Sequence, residues 1–157
     1  MEKSDIPEWL ALDSGRPVLV VPKSGDIEPI GGRILVGWNN SREAARAVFD
    51  AVPLLKTARE VRVLCVEEPH KPQTARELPG AEICAAIARH GGNCIAHHIK
   101  PARRDEPGEE LLAQVARHNC DLLVMGYYGR SRLYEFICGR ASRHVLQHAA
   151  VPVMMSH

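Results

Sequence analysis

Three glycines frame the segment of this sequence with the clearest chemical potential. Gly126 and Gly129 follow the apolar run "CDLLVM", and Gly139 comes ten residues later. Backbone N–H groups can gather around a phosphate where glycines allow close approach and where a helix begins. The spacing matches neither the Walker loop nor the G-x-G-x-x-G fingerprint. From the residues alone, the segment is therefore either a phosphate cradle or a turn between two elements.

A second loop with polar character is "GWNNS", residues 37–41, directly after an apolar run. Asn39 and Asn40 tolerate left-handed backbone angles and offer side-chain hydrogen bonds. Ser41 is placed to cap a following helix. These features suit a binding loop, and they are equally typical of a capped strand-to-helix turn.

Strands and helices must alternate to position these loops. Ser41 is expected to begin a helix that Pro53 kinks or ends early, and Gly91 and Gly92 suit the left-handed cap of another helix. Such alternation predicts a doubly wound α/β domain with a parallel sheet and helices on both faces. Ligands of such sheets bind beyond the carboxyl ends of the strands, where the winding reverses. The five predicted core strands are Arg33–Trp38, Glu60–Val66, Asn93–Ile99, Asp121–Gly126 and Val151–Met155.

The N-terminal segment, residues 1–31, lies outside this count and precedes the domain of residues 32–157. Its run Pro17–Val21 predicts an extra strand. This strand resembles the final strand in character, so it is either the last strand of a preceding domain copy or a chance match. In both cases it needs an exposed sheet edge, its own or that of a partner chain.

Composition narrows the function classes. A net charge of +1 and an aromatic content of 4% give no reason to expect nucleic acid or an anionic membrane as partner. No apolar run reaches the length of a membrane span, and the first residues lack a signal-peptide layout. The five cysteines contain no C-x-x-C pair, so we expect free thiols that serve as small core residues in a reducing cytoplasm.

The two loops together carry a family resemblance. "RILVGWNNSREAARAV" is similar to the opening strand and loop of universal stress protein domains, and "DLLVMGYYGRSRLYEFICGRASRHVLQHAAVPVMM" resembles their closing G-x2-G-x9-G-[ST] signature. "GYYGRSRLYEF" and "GRPVLVVP" look most like the tandem members of that family, which carry two such domains per chain.

The resemblance implies a five-stranded parallel sheet of order 3-2-1-4-5, with both loops facing one crevice. It also implies a homodimer through the last strand, Val151–Met155. The N-terminal strand, Pro17–Val21, either adds to that contact or caps the edge of the last strand and blocks dimerisation. Members with the full signature bind ATP, which Mg²⁺ accompanies, so the resemblance implies ATP or a related adenine nucleotide here. The implied site residues are Trp38, Asn39, Asn40, Val66, Met125, Gly126, Gly129, Arg130, Gly139, Arg140, Ala141 and Ser142.

Two of these positions depart from the family pattern. Asn39 replaces an aspartate and loses the strength of a charge-assisted hydrogen bond. Arg140 replaces a serine or threonine, and a cation at a helix N-terminus opposes the helix dipole unless an anion is present. Arg140 is thus either a phosphate ligand or a plug that fills the space, whereas Ser142 matches a second phosphate-contacting serine. The alternative function is a nucleotide-free protein-interaction module.

Other polar residues in the sequence give weaker indications of function. His144 and His148 have a spacing that can chelate a metal, but surface histidines are the simpler interpretation, and we expect no metal site. Several arginines near the glycine turn form either a solvated surface or an electrostatic funnel for phosphates. No nucleophile–base pair or carboxylate dyad is identifiable, so we expect no enzyme beyond slow ATP hydrolysis.

Overall fold

A computed structural model describes residues 6–23, 29–66, 79–99, 107–127 and 138–157. Helices and strands alternate through most of this length, as predicted. The helices are α1 (Ile6–Asp13), α2 (Arg42–Leu55), α3 (Ala81–Arg89), α4 (Pro107–Arg117) and α5 (Cys138–His148). The strands are β1 (Val18–Val20), β2 (Arg33–Trp38), β3 (Glu60–Val66), β4 (Cys94–Ile99), β5 (Leu122–Gly126) and β6 (Val153–Ser156).

One six-stranded sheet organises the described residues, in the order β1-β6-β5-β2-β3-β4. The five strands from β2 to β6 pair in parallel, and their order is the predicted 3-2-1-4-5. The predicted α/β class is confirmed. The sixth strand, β1, joins antiparallel to β6.

Two apolar clusters cover the two faces of the sheet. Alternation along β2 explains why both faces are buried, because Ile34 and Val36 point into one cluster and Leu35 into the other. All three side chains are at most 1% exposed. The first cluster is completed by α2 and α3, and the second by α1, α4 and α5. Burial on both faces is the property expected of parallel strands with crossover helices.

A carboxylate clamp aligns the amino ends of the two central strands. Asp121, directly before β5, accepts hydrogen bonds from the backbone N–H groups of Gly31, Gly32 and Arg33 at 2.7, 3.0 and 2.9 Å. A Cβ atom at Gly32 would lie 2.9 Å from the Asp121 Oδ2 atom, so the close approach requires glycine. The clamp fixes β2 against β5 at the edge opposite the two polar loops.

Helix α2 differs from its prediction at one end and agrees at the other. The Ser41 Oγ atom accepts a hydrogen bond from the Ala44 N–H at 3.1 Å, so the predicted cap is present. The helix runs through Pro53 to Leu55, so the expectation of an early end is wrong. Pro53 is exposed and lies in the last turn, where few helical hydrogen bonds remain to be lost and water can satisfy a freed carbonyl. Gly91 has φ +91°, which matches its predicted left-handed cap.

The N-terminal segment contains a helix that the sequence pattern did not predict. Helix α1 packs through Ala11, 1% exposed, onto the second cluster. Strand β1 lies within the predicted run Pro17–Val21 and pairs with β6 of its own chain. The edge strand that the segment requires is therefore supplied in the same molecule.

The expectation of free thiols is wrong for two cysteines. Cys84 of α3 and Cys94 of β4 form a disulfide, with Cα atoms 5.4 Å apart. Helix α3 packs against β4, and this packing brings together two residues ten apart in sequence. Cys65 and Cys120 are free and buried, as expected of core thiols. The side chain of Cys138 lies outside the described residues. Among the described residues, no helix is long and apolar enough to cross a membrane.

Candidate functional site

The carboxyl ends of β2 and β5 lie side by side at one edge of the sheet. Gly37 of β2 is in register with Met125 of β5. Helix α5 precedes β6, which runs parallel to β5, so the chain must return antiparallel and start α5 near this same edge. The loop after β2, the end of β5 and the N-terminus of α5 therefore share one edge, at the switch point where such sheets bind ligands.

The loop after β2 satisfies much of its own hydrogen bonding. The Asn39 Oδ1 atom accepts a hydrogen bond from the Ser41 N–H at 3.3 Å, and Ser41 caps α2. Asn40 is exposed and adopts φ +60°, as its residue type permits. Glu43, in the first turn of α2, adds a negative charge. Because the Ser41 and Ala44 amides have partners and an acid lies beside them, this helix terminus is a poor place for a phosphate.

Gly126 serves close packing between β5 and α2. A Cβ atom at Gly126 would lie 2.6 Å from both the Ala44 N atom and the Glu43 carbonyl carbon. Real Cβ atoms do not approach backbone this closely, so only glycine fits. The first turn of α2 thus occupies the space beside Gly126.

The N-terminus of α5 has the opposite character. Its first turn contains no acidic residue, and Arg140 is exposed. Arg140 is therefore not a buried plug, and its guanidinium faces solvent. Ala141 packs against α4, where a Cβ atom at Gly108 would lie 2.9 Å from the Ala141 carbonyl oxygen.

Ser142 is the one buried side chain among the described residues with an unpaired polar atom. Ser142 is 0% exposed, and its Oγ atom has no hydrogen-bond partner. An unpaired buried hydroxyl costs about 1–3 kcal/mol, so an orphan of this kind requires an explanation. A ligand oxygen beside the first turn of α5 would supply the missing acceptor.

The structure brings some of the predicted residues together and buries others. Trp38 is half-buried against the first apolar cluster, and Met125 is 5% exposed within the second. Val66 ends β3 at the same edge of the sheet, but its side chain is not described. Gly129 and Arg130 lie outside the described residues, and Gly139 lies in the first turn of α5. The contacts of Glu43 and Ala44 with Gly126 were not predicted, because sequence spacing does not show which backbone lies beside a glycine.

The groups with perturbed protonation lie elsewhere. The Arg62 guanidinium hydrogen-bonds Glu60 and holds the pKa of that carboxyl below its usual value. Burial, with the charges of Arg62 and His97 near it, lowers the pKa of His118. Glu60 begins β3 and His118 follows α4, so this cluster lies at the amino ends of the strands, away from the candidate site.

The described residues contain no group of three or more His, Cys, Asp or Glu side chains that could hold a metal. The His144 and His148 rings stack at 4.3 Å between centroids. The His148 Nδ1 atom lies 2.9 Å from the His144 carbonyl oxygen. That ring nitrogen is therefore engaged with the backbone, which leaves the pair less suited to chelation.

Comparison with known proteins identifies a family. Residues 32–157 match the model of the universal stress protein family, and no curated protein matches the chain. A universal stress protein from Archaeoglobus fulgidus DSM 4304 superposes with a TM-score of 0.74 at 22% identity. That match covers 96% of this chain, which includes part of the N-terminal segment, and 53% of the other, so this chain spans about half its length.

Shorter solved structures are similar as well. Universal stress protein UspA from Lactobacillus plantarum has a TM-score of 0.63 at 17% identity, covering 83% of this chain and all of its own. A family protein from Arabidopsis thaliana with AMP bound has a TM-score of 0.52 at 18% identity, covering 82% of this chain and 91% of its own. Two other matched structures are complexes with cAMP and with dAMP. At these identities the likeness establishes the fold.

Proposed function

This chain belongs to the universal stress protein family, and we propose that it is a stress-response regulator that binds an adenine nucleotide beyond the carboxyl ends of β2 and β5. The observation that carries the proposal is Ser142, the fifth residue of α5, whose buried Oγ atom lacks a partner. Similar proteins solved with AMP, cAMP and dAMP support the ligand class.

The electrostatics of the two helix termini assign an orientation to the nucleotide. The phosphates lie at α5, where backbone N–H groups and the helix dipole favour an anion. Arg140, exposed at the same turn, contacts them from the solvent side with its forked donors. The base and ribose then lie toward Trp38, Asn39 and the end of β3, and the Asn39 side chain is the candidate partner for a ribose hydroxyl.

Mg²⁺ in this proposal is held by phosphate oxygens and water. That mode is usual for Mg²⁺, which keeps several waters when it binds with nucleotides, and it agrees with the absence of a metal-ligating cluster among the described residues. The domain binds the nucleotide and signals in the cytoplasm through its occupancy rather than turning it over rapidly.

Calorimetry tests the proposal directly. Nucleotide-stripped full chain is titrated with ATP, ADP and AMP, each with and without Mg²⁺, and with GTP as a control for base recognition. We expect saturable heat with the adenine nucleotides and little with GTP. Replacing Arg140 with alanine should weaken the affinity for ATP more than the affinity for AMP, because the guanidinium contacts the phosphates. No heat with any nucleotide at millimolar concentration would refute nucleotide binding.

A nucleotide-free interaction module is the second candidate. The space beside Gly126 is filled by α2, and the Asn39 Oδ1 atom accepts a hydrogen bond within its own loop, so part of the family signature serves packing here. Mass spectrometry of protein purified without added nucleotide separates the two candidates. Adenine nucleotide that copurifies supports binding, whereas its absence together with null calorimetry supports the module.

A further inference from the structure

Strand β6 has its outer edge covered by the N-terminal segment of the same chain. Three residue pairs join the two strands antiparallel, Val18 with Met155, Leu19 with Met154 and Val20 with Val153. All four residues of β6 are buried. Without β1, this strand would present unpaired backbone groups beside apolar side chains, which is the usual template for pairing with another chain.

Polar contacts and helix packing hold the segment in place. The Arg46 guanidinium donates to the Gly15 carbonyl oxygen at 2.9 Å, and it also lies 3.6 Å from the Asp50 carboxylate. Asp50 in turn accepts a hydrogen bond from the Ser156 Oγ atom at 2.8 Å. With Ala11 buried in the second cluster, these contacts connect α1, the α1–β1 turn, α2 and β6.

The same segment exposes much of its apolar surface. Trp9 is 64% exposed, and Leu10, Leu19 and Val21 are 44–45% exposed. Four of the six large exposed hydrophobic residues in the described part of the chain therefore lie within residues 9–21. Because β1 lies at the edge of the sheet and pairs with β6 alone, its release leaves the pairing of the five parallel strands intact.

We propose that residues 6–23 occupy the β6 edge in place of a second copy of this chain and so prevent self-association through β6. Both occupants need the same backbone N–H and C=O groups, so their binding is mutually exclusive. A tethered strand has a high effective concentration, which favours the intramolecular contact at micromolar protein. The homodimer through the last strand that the resemblance implied then requires release of β1.

Full-chain variants that release the segment test this inference. Ala11→Asp buries a carboxylate among apolar side chains and undocks α1, and Val20→Pro disrupts β1 pairing. Leu10→Asp is the matched control, because Leu10 neighbours Ala11 in sequence but is exposed. Light scattering with size-exclusion chromatography gives the mass in solution, and hydrogen exchange of residues 18–20 reports whether β1 is still paired with β6.

We expect a monomer for the parent chain and for Leu10→Asp, with protected β1 amides. Ala11→Asp and Val20→Pro should approach twice the monomer mass as protein concentration rises, and a peptide of residues 6–23 added in excess should return them to monomer. A parent chain that is already dimeric through β6 would overturn the proposal. So would variants that remain monomeric after losing segment protection, or variants in which that protection is unchanged. Nucleotide titration of the same samples is independent of this outcome.

Discussion

Two fully buried serines show how the same residue type serves different ends in this protein. Ser142 and Ser156 are both 0% exposed. The Ser156 Oγ atom donates to Asp50 at 2.8 Å, whereas the Ser142 Oγ atom has no partner. A satisfied hydroxyl contributes to stability and an orphaned one subtracts from it. A ligand that hydrogen-bonds to the Ser142 hydroxyl would therefore offset a free-energy penalty that the ligand-free fold already carries.

Replacing Ser142 with alanine should raise the free energy of unfolding of the nucleotide-free protein, by up to about 1–2 kcal/mol, because it removes an unpaired buried polar group. The same change should weaken the affinity for ATP about 3- to 10-fold, because one hydrogen bond to the ligand is lost. Ser156→Ala is the control and should lower stability by about 1 kcal/mol, because it removes one hydrogen bond to the Asp50 carboxylate, which stays paired with Arg46. Urea unfolding and calorimetry measure both quantities. Destabilisation by Ser142→Ala would mean that its hydroxyl already has a partner.

Gly126 and Gly37, at the ends of neighbouring strands, differ in how closely other atoms approach the position of a Cβ atom. At Gly126 a Cβ atom would strike backbone at 2.6 Å, whereas at Gly37 its nearest contact is the flexible Leu111 side chain at 3.2 Å. We expect Gly126→Ala to lower the free energy of unfolding by about 1–3 kcal/mol or more, and Gly37→Ala to cost clearly less. If Gly126 instead lined an open phosphate cradle, its alanine variant would unfold like the parent and lose only nucleotide affinity.

At the scale of elements, the strands and the α/β class followed from sequence because β-branched runs alternate with amphipathic helices, whereas the strand order was predicted only from the family resemblance. The prediction that the loops after β2 and β5 face each other combined that order with the sheet rule. Helix α1 escaped prediction because its eight residues are stabilised by docking Ala11 rather than by a long periodic pattern. The role of Gly126 and the orphaned state of Ser142 depend on tertiary contacts, which sequence spacing does not encode.

The Cys84–Cys94 disulfide likewise depends on how α3 packs against β4. Closing a loop of this length in the unfolded chain is worth roughly 2–3 kcal/mol. We expect a reducing agent to lower the melting temperature of the parent protein, and the double variant Cys84→Ala/Cys94→Ala to melt at the same temperature with or without it. Thermal unfolding followed by circular dichroism measures both.

Parent protein that melts identically in oxidising and reducing buffer would show that the bond contributes no stability. A reducing compartment keeps thiols reduced, so the measurement in reducing buffer describes the form that the protein would have in such a compartment. Cys65 and Cys120 should not complicate it, since burial raises the pKa of each thiol to about 11 and keeps it in the unreactive protonated form.

At the scale of the whole molecule, the two ends of the sheet carry different electrostatics. The carboxyl edge holds the candidate nucleotide site, and the amino ends hold a compact polar cluster. In that cluster the Arg62 Nη1 atom lies 2.8 Å from the His97 Nε2 atom, and the Arg62 Nε atom lies 2.6 Å from Glu60. The His118 ring lies 5.7 Å from the His97 ring, among cations that oppose its protonation.

This cluster predicts stability that falls as the pH falls. The pKa of His118 is lowered from its ordinary value of 6.5, so the unfolded chain binds a proton at a pH where the folded protein resists one. The stabilisation is complete above pH 6.5 and is lost as the pH falls through the lower folded value. The pKa of Glu60 is lowered from 4.5, so its contribution is lost in turn below pH 4.5.

Urea midpoints of unfolding should therefore decrease as the pH is lowered from 8 to 5, and His118→Gln should make that dependence on pH weaker. A parent protein equally stable at both ends of that range would contradict the predicted effect of His118.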